Sequence, residues 1–91
     1  MLERTRNKKH TAVTFVLPAG HPAGEASVVG DFNDWRPGAH PLAPRPDGSR
    51  AVTVTLPADQ RLGFRYLAHG DYWFDEDDAD GHDGHNGLLH T

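Results

Sequence analysis

Residues 62–74 read Leu-Gly-Phe-Arg-Tyr-Leu-Ala-His-Gly-Asp-Tyr-Trp-Phe, and this stretch decides the fold. Apolar side chains occupy every second position from 62 to 68, and an alternation of period two is typical of a β-strand with two different faces. His69-Gly70-Asp71 then favours a turn. Tyr72-Trp73-Phe74 follows the turn, so the stretch is predicted to form a β-hairpin.

The same alternation recurs in residues 12–17, 26–32 and 51–56, of which 51–56 is the most regular example. Residues 86–91 are short but apolar enough to close a sheet edge. Ten glycines and seven prolines imply many turns, one of them over residues 18–24. No segment longer than a few residues has a helical period. We therefore predict an all-β antiparallel sandwich of about six to eight short strands.

The length of 91 residues predicts a single domain. Residues 1–9 are mostly charged and are predicted to be a flexible basic leader, which leaves residues 10–91 as the domain. The chain has no cysteine, so disulfides and thiolate chemistry are excluded. No apolar segment follows the leader, so we expect no membrane partner and a cytoplasmic protein.

The charge balance argues against nucleic acid as a partner. Thirteen acidic residues against nine Lys and Arg give a net charge of −4. The run Asp75-Glu76-Asp77-Asp78-Ala79-Asp80 would repel a phosphate backbone. This acidic run is predicted to be a solvated, mobile loop.

The acidic run and the histidines that follow it raise the question of a metal site. Aligned as a calcium loop from Glu76, the twelfth position is a glycine where a bidentate glutamate is needed. His82 and His85, with His90 or Asp83, have a spacing that suits zinc or nickel. In a Gly-rich loop without cysteine, this pattern favours adventitious affinity. We therefore predict no metal site and no cofactor.

Both tryptophans lie beside turns. Trp35 ends the segment Val28-Val29-Gly30-Asp31-Phe32-Asn33-Asp34-Trp35, and Trp73 follows the hairpin turn. An exposed indole offers a broad, stiff, weakly hydrated face and one N–H donor, a surface on which a sugar ring can lie. Each indole could instead fill the core of a small sandwich.

Three features together resemble carbohydrate-binding module family 48: the Gly30-x-Phe32-Asn33-x-Trp35 motif, the Phe64-Arg65-Tyr66 strand that leads through a glycine turn to Trp73, and a late Asn86. This family includes the N-terminal early-set domains of isoamylase and glycogen branching enzymes, and the glycogen-binding domain of the AMP-activated protein kinase beta subunit. The resemblance spans roughly residues 10–91. It implies an immunoglobulin-like β-sandwich and an α-1,4-linked glucan, such as glycogen or starch, as the ligand.

The resemblance also implies a binding site made of Trp35, Arg65, Trp73 and Asn86. Arg65 stands where a lysine is usual, and it keeps the charge while adding a planar fork of donors that can reach two sugar hydroxyls. Tyr72, next to Trp73, is an extra aromatic residue that either widens the platform or packs beneath it.

Two functions follow from these residues, and neither is enzymatic. The first is a free-standing α-glucan-binding module. The second is a protein-interaction sandwich that has lost sugar affinity, because the family's leucine and threonine positions fall near His82 and Gly84 and the apolar loop is missing. The partner would then be a glucan-active enzyme or another protein.

Catalysis would need a nucleophile with its base or two facing carboxyl groups, and no such pair can be argued. A hydrolase label would describe relatives that carry a catalytic domain.

Overall fold

Nine β-strands and a 3-10 helix form the secondary structure of residues 1–22 and 24–91, the part of the chain that a computed structural model describes. Ala23, within the predicted turn over 18–24, lies outside the described residues. The strands are β1 (Leu2–Arg6), β2 (His10–Leu17), β3 (Ala26–Gly30), β4 (Ala43–Pro44), β5 (Arg50–Pro57), β6 (Arg61–Ala68), β7 (Tyr72–Phe74), β8 (Gly81–His82) and β9 (Gly87–His90). The 3-10 helix Asp31–Asn33 follows β3 directly. Within the described ranges, no helix has the length and apolar character that a membrane span requires.

The strands belong to two antiparallel sheets. Sheet A has the order β1-β2-β5-β4, and sheet B has the order β3-β6-β9-β8, with β7 also paired to β6. Strand β6 is central in sheet B because β3 runs along one of its edges, while β7 and β9 share the other edge. The predicted all-β antiparallel sandwich is confirmed.

The core fills the space between the sheets with alternate residues of the long strands. Phe15 of β2 and both Phe64 and Tyr66 of β6 are fully buried. The Phe15 ring centroid lies 5.3 Å from that of Phe64 and 6.5 Å from that of Tyr66. The predicted alternation of β6 is therefore confirmed, and it directs the intervening residues 63, 65 and 67 away from the core.

The basic leader predicted for residues 1–9 contains a strand instead of being flexible throughout. Strand β1 pairs with β2 from Leu2 to Arg6. Leu2 packs against the core, and the Arg4 guanidinium donates hydrogen bonds to both oxygens of Asp80 at 2.9 and 3.2 Å. The prediction was wrong because this segment is held by residues far along the chain, which local periodicity does not detect.

The strand count exceeds the predicted six to eight because β4 and β8 contain only two residues each and β1 was assigned to the leader. Residues 86–91 were predicted to close a sheet edge. Their strand, β9, lies inside sheet B, because the short β8 covers its outer side.

The acidic run contains a buried carboxylate. Glu76 is 8% exposed and accepts hydrogen bonds from the Tyr66 hydroxyl at 2.8 Å, from the Asp78 amide at 3.0 Å and from the Met1 ammonium group. Burial alone would raise the pKa of Glu76, but these hydrogen bonds outweigh burial and hold the pKa below its usual value. Burial and the Glu76 charge raise the pKa of Tyr66, which keeps its hydroxyl a donor. The run is therefore tied to the core rather than freely solvated.

The substitution Glu76→Gln is expected to lower the free energy of unfolding by about 2 kcal/mol at pH 7, because hydrogen bonds to a buried charge contribute about this much. A lowered carboxyl pKa stabilises the folded state above the ordinary pKa, and that contribution is lost as pH falls through the lowered value. The difference between wild type and variant should therefore shrink from pH 7 to pH 3 in urea unfolding. Asp77→Asn, at the exposed neighbouring residue, is the control and should change the free energy of unfolding little at either pH. A difference of equal size at both pH values would contradict the role of the charge.

Candidate functional site

The face of sheet B that points away from the core is organised around β6. Gly63, Arg65 and Leu67 alternate with the buried aromatic residues of this strand, so they lie on the opposite face. Leu67 pairs with Trp73 of β7 on one side and with Ser27 of β3 on the other, and cross-strand partners share a face. We call the surface formed by these five residues the outer face.

Trp73 and Arg65 form a connected pair on the outer face. Trp73 is 37% exposed, and the Arg65 guanidinium carbon lies 5.8 Å from the centroid of the indole, within range of a cation–π interaction. Arg65 Nε donates a hydrogen bond to Asp75 Oδ1 at 3.0 Å, and His82 Nε2 lies 3.1 Å from Asp75 Oδ2. Asp75 therefore orients Arg65 through Nε, and the terminal NH₂ groups are the donors that a ligand would meet.

Three residues of the Gly30-x-Phe32-Asn33-x-Trp35 motif build the turn. A Cβ atom on Gly30 would lie 2.5 Å from the Gly63 carbonyl oxygen, so only glycine fits where these strands approach. Phe32 packs against the core with its ring centroid 5.7 Å from that of Phe15. In the Asn33 side chain, Nδ2 donates a hydrogen bond to the Val28 carbonyl at 3.1 Å, and Oδ1 accepts one from the Gly30 backbone amide at 3.0 Å. These residues are structural, and they present the tryptophan that follows.

Trp35 is half-buried and is held in an unusual backbone conformation. Asp34 and Trp35 have φ angles of 57° and 56°, a left-handed region that costs a bulky residue about 1–3 kcal/mol. The Trp35 amide donates to the Gly30 carbonyl at 3.0 Å, and its indole Nε1 donates to Asp31 Oδ1 at 2.8 Å. Asp31 Oδ2 accepts from the Gly63 amide at 2.7 Å. Asp31 therefore anchors the Trp35 indole to β6, and the indole N–H is already engaged in a hydrogen bond.

Asn86 lies beside the same position of β6. A hypothetical Cβ atom on Gly63 would lie 3.5 Å from Asn86 Nδ2 and 3.4 Å from Asp31 Oδ2. The Asn86 and Asp31 side chains therefore flank this glycine. The backbone of Asn86 is set by a turn in which Asp83 Oδ1 accepts from the Asn86 amide at 2.7 Å and from the His85 amide at 2.9 Å. These two hydrogen bonds lower the pKa of Asp83.

Tyr72 does not join the other predicted residues. It pairs with inward-facing Ala68, and its ring stacks on Phe74, with centroids 5.5 Å apart and planes 25° apart. Phe74 in turn stacks on the buried Tyr66 ring at 5.2 Å. Because successive residues of a strand point to opposite faces, Tyr72 lies on the other side of β7 from Trp73 and does not widen its platform. Tyr72 is nevertheless 59% exposed.

The structure thus brings Trp35, Asn86, Arg65 and Trp73 to the outer face. Trp35 and Asn86 lie near Gly63, and Trp73 pairs with Leu67. Gly63 and Leu67 are four residues apart on β6, which separates the two tryptophans by about 13 Å along the strand. Sequence reasoning missed Asp31 as a part of this site. Its position just after Gly30 gave no signal that it would bridge an indole and a distant strand.

The turn over residues 82–86 is polar, as the sequence indicated. His82 is polar and exposed, and Gly84 has no side chain, so neither supplies apolar contact area. Gly84 donates its amide hydrogen to His82 Nδ1 at 3.1 Å. Across the described part of the chain, no group of three or more His, Asp or Glu side chains is arranged to hold a metal ion.

Comparison with known proteins gives a partial match. No protein-family profile matches the chain. The 1,4-alpha-glucan branching enzyme GlgB of Aquifex aeolicus (strain VF5) is 37% identical to it over 67 residues, which cover 70% of this chain and 10% of that enzyme. The chain is similar to a part of a glucan branching enzyme. It spans about a tenth of the length of this relative, and membership of carbohydrate-binding module family 48 stays a prediction.

Replacing Asp31 by asparagine should loosen Trp35, because the indole and the Gly63 amide donate to different carboxylate oxygens and asparagine has an acceptor at only one of these two positions. The expected loss in the free energy of unfolding is about 1.5 kcal/mol, with faster hydrogen exchange at the Trp35 indole N–H measured by NMR. The matched control is Asp34→Asn, since Asp34 is exposed and its ion pair with Arg36 is 3.9 Å long. Equal effects of both substitutions would show that the anchor does not hold the indole.

Proposed function

We propose that this chain is a non-catalytic module that binds an α-1,4-linked glucan such as glycogen, starch or a maltooligosaccharide. The observation that carries the proposal is the arrangement of Trp35, Arg65, Trp73 and Asn86 on one face of sheet B. Two indoles with polar donors between them form an apolar surface with a few convergent polar groups, which is the usual composition of a small-molecule site.

In this proposal, glucose rings stack on Trp35 and Trp73 through their C–H faces. Arg65 and Asn86 donate hydrogen bonds to the hydroxyl groups and set the direction of the chain. The separation of about 13 Å along β6 requires a ligand longer than one ring. Each stacking contact contributes on the order of 1 kcal/mol, so a short glucan binds weakly and a polymer gains affinity from repeated sites.

Two carboxylates that border the tryptophans, Asp31 and Asp75, support a non-catalytic role. Each oxygen of Asp31 accepts one hydrogen bond, from Trp35 and from Gly63. Asp75 is engaged by Arg65 and His82. A glycoside hydrolase needs one carboxyl group free to protonate the leaving oxygen and a second one free to attack or activate water. Carboxylates that serve as anchors fit binding better than hydrolysis.

The similarity to a glucan branching enzyme supports a glucan as the ligand and suggests the setting. We place the module in the cytoplasm, on the same class of polymer on which such an enzyme acts. It would bring a glucan-active enzyme or another protein partner to that polymer. Binding to nucleic acid or to a membrane is not part of this proposal.

A protein-interaction module is the second candidate, and the edge of sheet A favours it. Strand β1 ends this sheet and pairs with β2 alone among the described strands, so its other edge could accept a strand from a partner chain. The polar turn over residues 82–86 also gives a glucan little apolar contact. In this candidate function the outer face would not bind sugar at all.

Titration of isotope-labelled protein with maltoheptaose and β-cyclodextrin tests the proposal. We expect both indole N–H signals and the Arg65 and Asn86 amides to shift together and saturably. Removing one indole with Trp73→Ala should weaken binding about fivefold, because a stacking platform is lost. The control on the opposite face of the same strand, Tyr72→Ala, should bind like wild type.

Two results would overturn the glucan proposal. If millimolar sugar moves no signal, the interaction module becomes the better explanation. If Tyr72→Ala weakens binding as much as Trp73→Ala, the sugar does not sit on the outer face.

A further inference from the structure

A shallow groove lies on the outer face, on the other side of β6 from Trp73. Its volume is about 330 Å³, and it lies across β3 and β6 against the loop that follows Trp35. Leu67 and Ser27 line the groove on the sheet side, and Gly38 and Pro41 line it on the loop side. The groove was not among the features that the sequence indicated.

The register of sheet B makes this groove continuous with the tryptophan platform. Trp73, Leu67 and Ser27 form one row across three strands, because Leu67 pairs with both of the others. Pro41 extends the row through an isolated bridge to Ser27. Neighbouring strands are about 4.8 Å apart, so a chain leaving the Trp73 indole reaches the groove after crossing one strand.

The lining of the groove combines an apolar floor with a polar rim. Leu67 is half-buried and supplies the floor. Exposed Glu25 and His69 lie at the rim, where they can accept and donate hydrogen bonds. Ser27 is 7% exposed, and its hydroxyl accepts a hydrogen bond from the Gly38 amide at 3.4 Å, which ties the loop to the sheet beside the groove. An apolar floor with a few polar groups suits a pyranose ring, whose C–H face and hydroxyl edge need both.

We infer that this groove is a further glucose-ring subsite, which receives the part of the glucan that extends past Trp73. The inference rests on the proposed function and adds a direction to it, because the chain then runs from Trp35 along β6 to Trp73 and turns across β6 onto β3. The subsite gives the module a preference for longer glucans, since a short oligosaccharide on the tryptophans does not fill the groove.

The test follows the Leu67 methyl groups and the Gly38 amide by NMR during titrations with maltotriose and maltoheptaose. Maltoheptaose should shift these signals together with the Trp73 indole. The double variant Glu25→Ala/His69→Ala removes the rim, and the ratio of the association constants for maltoheptaose and maltotriose should fall about fivefold. The matched control is Glu3→Ala/His10→Ala, which removes the same residue types from exposed positions of sheet A and should leave the ratio unchanged.

The outcomes separate this inference from the proposed function. No shift of the Trp73 indole with either sugar overturns the glucan proposal itself. If the indole shifts while Leu67 and Gly38 stay unmoved, or if the rim variant keeps the wild-type ratio, the groove is not a subsite and the platform remains.

Discussion

The two-faced alternation of β6 is the constraint on which the rest of the structure depends. Phe64 and Tyr66 are fully buried between the sheets, and this burial sets which face of the strand points inward. A slip of one residue would move both rings to solvent and bring Arg65 into the core, at a cost of several kcal/mol. The register of β6 therefore places Arg65 and Leu67 on the outer face, and through its edges it also positions β3, β7 and β9.

Most of the recognisable turn motif maintains the fold rather than meeting a ligand. Gly30 permits close approach to β6, Phe32 joins the core, and Asn33 bonds the turn backbone. Only Trp35 is presented outward, in a left-handed conformation that the surrounding hydrogen bonds must sustain. A match to this motif thus indicates the sandwich strongly and the ligand weakly. The second tryptophan and the polar residues between the two tryptophans are what indicate a ligand.

The strands with regular alternation could be predicted from the sequence because their signal is local. Residues 12–17, 51–56 and 62–68 all lie within observed strands, and their inward faces are those expected. Strand β1 could not be predicted in this way, because Arg4 is stabilised by Asp80 and resembles a solvated cation until that partner is known. Glu76 was misjudged for the same reason, since its donors come from other parts of the chain.

By itself, the sequence determined the long strands with regular alternation, the hairpin turn before Trp73, the all-β class and the two turn-borne tryptophans. These features depend on side-chain periodicity and on glycine, proline and asparagine preferences that act over a few residues. Only the tertiary structure decided that Asp31 anchors Trp35 to β6, that Tyr72 faces away from Trp73, and that Leu67 connects Trp73 to a groove beside Ser27. Such neighbours are set by strand register between distant segments, and register follows from how the whole core packs.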